Sequence, residues 1–137
     1  MGLYLCVFEE DDELDGVEVG TYADFGFFRE CVAKEMEDGR IGSKYPTLML
    51  HSDCDGVWAP SECEKLKAEL RDVSERFKQL PPVPFQAEWQ KQVASLLGLK
   101  PKRLFDSFID IDGEPLLERL EKLCDVAIEN DQPILFQ

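Results

Sequence analysis

Between Pro60 and the PPVP run at residues 81–84 lie Cys63, Leu66, Leu70, Val73, Phe77 and Leu80, in alternating steps of three and four. That spacing draws one apolar stripe along a helix. Pro60 suits the first helical position, and the later prolines stop the helix. A striped helix must bury its stripe, so the chain has to supply a second layer for it.

The remaining segments supply that layer. Leu3 to Phe8 reads as a first strand, rich in β-favouring residues. EEDDELDG, residues 9–16, is too charged to pack and reads as a loop. GVEVG, residues 16–20, alternates and reads as a short antiparallel return strand. Thr21 or Asp24 can cap a helix striped by Phe25, Phe28, Val32 and Met36, which Gly39 and Gly42 end. YPTLMLHS reads as a second strand, apolar from Leu48 to Leu50. Trp89, Val93, Leu96 and Leu97 stripe another helix, closed by Gly98. RLFDSFIDI, residues 103–111, fits a short helix or a strand. Leu116, Leu117, Leu120, Leu123, Ala127 and Ile128 stripe a last helix. PILF, residues 133–136, is a final strand, with Pro133 at a strand start or an edge. The fold class is α+β: a small mixed sheet of three to five strands packed against about four helices, in a single domain over residues 1–137.

Charge narrows the partners. The formal net charge is −14, and residues 1–68 carry −10 of it. A nucleic-acid binder neutralises phosphates with Lys and Arg, so nucleic acid is not expected as a partner, nor is an anionic membrane. KPKR, residues 100–103, is the one basic cluster and is too small to define such a site. The apolar run Leu3–Phe8 is short, lacks a basic region before it and ends in acid, so it reads as neither signal peptide nor spanning helix. The chain reads as soluble and cytoplasmic. Five cysteines, an odd count without a secretion signal, point to reduced thiols.

Seven of the acids fall within EEDDELDGVE, residues 9–18. Charge on a loop adds little to stability, but it speeds association with a basic partner. Affinity then needs anchors, for which Trp58, Tyr22 and Tyr45 are candidates.

HSDCDGVWAPSE, residues 51–62, resembles a calcium loop. Asp53, Asp55, Gly56 and Glu62 take positions 3, 5, 6 and 12. His51 at position 1 is a poor ligand for a hard cation, and the segment before it reads as strand. The alternative is a strand-to-helix turn in which Gly56 supplies a special backbone angle. Should a metal bind, Asp53, Asp55 and Glu62 are its ligands. Zinc could draw on His51, Cys54, Cys63 and Cys124, but no C-x₂-C pair is present. His51, the only histidine, could serve a small hydrolase as base with Asp53 or Asp55, and Ser52 or Cys54 as nucleophile. A second D-x-D-G, in FIDIDGEP at residues 108–115, is similar to a dehalogenase-type phosphatase motif. Too little chain follows it for the rest of that site, so it reads as a turn before the last helix.

MGLYLCVF, DGVEVGTYADFGFFRE, TLMLHSDCDGVWAPSEC, LPPVPF with the tryptophan helix after it, and FDSFIDIDGEPLLERL occur in that order. Together they resemble the immunity protein 70 family of bacterial polymorphic toxin systems. One local departure is Ala59 before Pro60, where a capping Ser is expected. The resemblance implies a cytoplasmic non-enzyme without cofactors that binds and neutralises a cognate toxin domain, expected to be basic. The residues expected to meet that partner are Glu9, Glu10, Asp11, Asp12, Glu13, Asp15, His51, Asp53, Asp55 and Trp58.

Overall fold

The structure is a computed structural model and describes residues 2–137. Strand β1 (Gly2–Glu9) turns directly into β2 (Asp12–Thr21), and helix α1 (Tyr22–Met36) follows. A four-residue helix α2 (Pro46–Met49) and a two-residue strand β3 (Val57–Trp58) precede the long helix α3 (Pro60–Phe77). Helix α4 (Glu88–Leu97), a 3-10 turn (Leu104–Ser107), helix α5 (Leu116–Asn130) and strand β4 (Ile134–Phe136) complete the chain. The α+β class expected from the sequence holds. The strand order is β2-β1-β4-β3, and every pairing is antiparallel.

Hydrophobic periodicity explains the core. Leu3, Leu5 and Val7 alternate along β1 and are buried, as are Val17 and Val19 on β2. Cys63, Leu66, Leu70, Val73 and Phe77 bury the stripe of α3. It packs against α5, which buries Leu116, Leu117, Leu120, Leu123 and Ala127 and also reaches β1 and β2. Phe28, Phe77 and Phe108 interlock from three elements, with ring centroids 5.2–6.3 Å apart. Contacts of this kind add about 0.5–1.5 kcal/mol beyond the area they bury.

Capping fixes the helix starts. Thr21 Oγ1 accepts the Asp24 amide at 3.1 Å, and Asp24 Oδ2 accepts the Thr21 amide at 2.8 Å, a reciprocal box at the start of α1. Ala59 has no side-chain acceptor, so α3 keeps only half of such a box: Glu62 Oε1 accepts the Ala59 amide at 3.0 Å.

Three expectations need correction. First, residues 9–16 are not a loop. Glu9 pairs with Asp12 across a two-residue turn, and Asp12–Asp15 belong to β2. Charged residues sit readily on an edge strand, where they deter pairing with other chains. Second, YPTLMLHS is not a strand. Glu69 on α3 accepts the Thr47 and Leu48 amides at 3.3 and 2.9 Å, which holds Pro46–Met49 in a helical turn. Third, α4 buries Gln90 and Ala94, whereas Leu96 and Leu97 lie in the open. No helix among the described residues is long and apolar enough to cross a membrane.

Candidate partner interface

The β1–β2 hairpin is built to present acid. Glu10 opens its turn with φ 56°, a left-handed conformation uncommon for a residue with a Cβ. Strand β4 pairs with β1 only at Leu5 and Cys6, so the Phe8–Glu13 end extends past the four-stranded part as a two-stranded arm. Glu9, Glu10, Asp11, Asp12 and Glu13 are all exposed on it. Tyr4 Oη donates to Glu13 Oε1. Gly16 makes room for this, since a Cβ there would sit 1.9 Å from Tyr4 Oη. Leu14 is the extra residue of a bulge between the Val7–Asp15 and Phe8–Glu13 pairs.

Asp15 behaves differently from its neighbours. Its Oδ1 accepts the Gly16 amide at 2.9 Å and Arg119 Nη2 at 3.2 Å. Arg119 also donates to the Gly16 carbonyl at 2.7 Å and, through Nε, to Asp110 Oδ2 at 3.3 Å. Asp110 is 1% exposed. Its Oδ1 accepts the amides of Asp112 and Glu114, both at 3.0 Å. The D-x-D-G segment is therefore a turn pinned from inside. Burial raises the Asp110 carboxyl above its ordinary value, against the pull of those amides and Arg119. Asp15 anchors the hairpin base rather than facing a partner.

The second acidic group lies elsewhere. His51, Asp53 and Asp55 precede β3, and β2 and β3 are opposite edges of the sheet. Three strand spacings, roughly 14 Å, separate those edges, so the expected partner residues form two separate surfaces. The His51 ring stacks on Phe136 with centroids 4.2 Å apart. Its Nδ1 lies 2.7 Å from the Ser52 carbonyl and its Nε2 lies 2.8 Å from the Val57 carbonyl. Arg29, lying over the Phe25 ring, donates to the His51 carbonyl at 2.9 Å. Burial brings the Arg29 guanidinium down to about 10.

This geometry corrects the alternatives. Both His51 nitrogens meet backbone carbonyls, so the ring is a fastener for β3 and is not arrayed as a base with Asp53, Asp55, Ser52 or Cys54. Glu62 turns to the start of α3, and among the described residues no three His, Cys, Asp or Glu side chains gather to hold a metal. Gly56 does supply the special angle, at φ 87°. Trp58 is 1% exposed and donates its Nε1 hydrogen to the Thr47 carbonyl at 3.0 Å, so it is a core residue. Tyr45 is buried and donates to Asp72. Sequence reasoning missed Arg119, whose partners lie up to 104 positions away. It also missed Glu37, which is buried and accepts three amides, of Gly42, Lys44 and Tyr45, at 2.8–3.1 Å.

Glu9, Glu10, Asp11, Asp12 and Glu13 are exposed on the arm, and Asp53 and Asp55 are exposed beside the opposite edge. Among the described residues, Glu9, Glu10, Asp11 and Asp12 take no part in an ion pair. A family model described as Immunity protein 70 matches residues 3–136. No curated protein and no solved structure matches the chain.

Proposed function

This chain belongs to the immunity protein 70 family, and on that premise we propose that it binds and neutralises a cognate toxin domain in the cytoplasm, without catalysis of its own. The acidic arm is the contact that finds the toxin, and the toxin surface it meets is basic. The observation that carries this reading is the run of exposed carboxylates at Glu9–Glu13, none of them in an ion pair among the described residues, on a hairpin fixed at its base by Arg119. Five like charges at one end of a hairpin repel one another in the free protein. A basic surface relieves that repulsion and is steered toward it from a distance.

The test is a pull-down from the source organism's lysate with this chain as bait, eluted in salt steps and read by mass spectrometry. The reading predicts the C-terminal domain of a large secreted protein, released by salt. Recovery of a housekeeping complex alone contradicts it.

A further inference from the structure

Four of the large exposed apolar residues lie on the arm, in the 110–113 turn and at the end of α4. Leu14 is 38% exposed, Ile111 46%, Leu97 57% and Leu96 85%. Leu14 sits on the arm. Ile111 is fastened to the outer side of β2, its amide donating to the Glu18 carbonyl at 3.1 Å. Leu97 closes over the neighbouring turn so tightly that a Cβ on Gly113 would fall 2.5 Å from its Cδ1. Trp89, on the same helix, packs against Gly20 of β2 and donates to Asp24 at 2.9 Å. The outer side of β2 at Glu18, the 110–113 turn and the end of α4 are thus neighbours, and the arm continues β2 away from them.

A cavity of about 510 Å³ opens between α4 and the turn, walled by Leu97, Leu99, Ile109 and Pro115. Asp112, Glu114, Lys100 and Lys102 also line it. Asp106, another lining residue, is paired with Arg103, and the other four charges offset one another. The net charge of the surface comes from Glu9 to Glu13 and Glu18, all exposed.

Resting on the immunity reading, we propose that this surface is the toxin interface, and that the cavity under Leu97 takes an apolar side chain of the toxin. Acid alone gives a fast but weak encounter, because exposed ion pairs contribute little each. Tight binding needs a desolvated apolar anchor. Leu97, open at the end of α4, lines that cavity, and apolar surface rimmed by charge is the kind of place where partners dock. The occupant is a basic domain that presents a large aliphatic or aromatic side chain: its charge matches the arm, and its apolar residue matches the walls. The arm then sets the association rate and the cavity sets the dissociation rate.

The probe is the toxin domain recovered and purified through the pull-down, applied to the immobilised chain. Three forms are compared: wild type, Leu96→Glu with Leu97→Glu, and Ile41→Glu with Leu50→Glu. The last pair is exposed in the segment that leads to β3. Leu96→Glu alone, at the most exposed position, guards against a folding defect, with Tm measured on every form. The proposal predicts dissociation faster by about tenfold or more for the α4 forms at unchanged Tm, and within about twofold of wild type for the Ile41 and Leu50 form. Wild-type dissociation in the α4 forms overturns the interface and leaves the immunity reading standing. A toxin domain that wild type itself does not hold overturns both.

Discussion

Arg119 on α5 reaches across to Asp15 on β2, with Nη2 3.2 Å from Oδ1, and through the same guanidinium holds Asp110 at 3.3 Å. One cation thereby fixes the base of the acidic arm and the turn before its own helix. Arg119→Ala leaves two largely buried carboxylates without their cation. Removing one partner of such a group is expected to cost about 3–5 kcal/mol, read as a lower urea midpoint with unchanged m-value.

Asp110 makes the pH dependence specific. Its carboxyl is raised above the ordinary 3.8 by burial, so the folded chain holds this proton more firmly than the unfolded chain does. The stability it contributes is fully present below pH 3.8 and is lost as pH rises through the raised value. Asp106, held low by its hydrogen bonds from the Arg103 guanidinium, contributes with the opposite sign. Asp110→Asn therefore removes a term that favours the folded state in acid. Urea unfolding from neutral pH down to about 4 should show the variant losing stability more steeply than wild type.

Glu37 holds the segment after α1 through three backbone amides. Glu37→Ala leaves those donors without an acceptor in a place water reaches poorly. At about 1–3 kcal/mol for an unmet buried group, a loss near 3 kcal/mol is expected. For a chain of this size that lowers Tm by roughly 10 °C, measurable by calorimetry.

The thiols sort by burial. Cys54 is exposed, whereas Cys6, Cys63 and Cys124 are buried. Burial pushes the thiols of Cys6, Cys31 and Cys63 up to about 11, and that of Cys124 higher still. A shift from 9 to 11 removes about 99% of the thiolate at mildly alkaline pH. Iodoacetamide applied to the native protein should modify Cys54 first, half-buried Cys31 more slowly, and Cys6, Cys63 and Cys124 only on unfolding, as peptide mass spectrometry would show.

The parts of the fold legible in the sequence are those set by local rules. The stripes of α3 and α5, Pro60 at the first turn of α3, the Thr21–Asp24 box and Gly98 closing α4 at φ 68° each follow from residues within a turn or two. Long-range decisions were hidden. The arm has the composition of a loop, and only pairing with Val7–Glu9 makes Asp12–Asp15 a strand. Leu48–Leu50 is too short a run to tell strand from helix, and Glu69 decides it from another element. Acid at residues 9–15 was visible as a candidate site, but not that Asp15 turns inward to Arg119. His51, Asp53 and Asp55 could not be placed on the opposite edge before the strand order was known.

The central claim is that the exposed arm finds a basic toxin. Stopped-flow association of the purified toxin domain tests it most directly, comparing wild type with a form carrying Gln or Asn at Glu9, Glu10, Asp11, Asp12 and Glu13, at low and high ionic strength. The account predicts association at low salt slower by about ten- to a hundredfold in the neutral form, little change in dissociation, and convergence of the two forms at high salt. Equal association rates at low salt would contradict it.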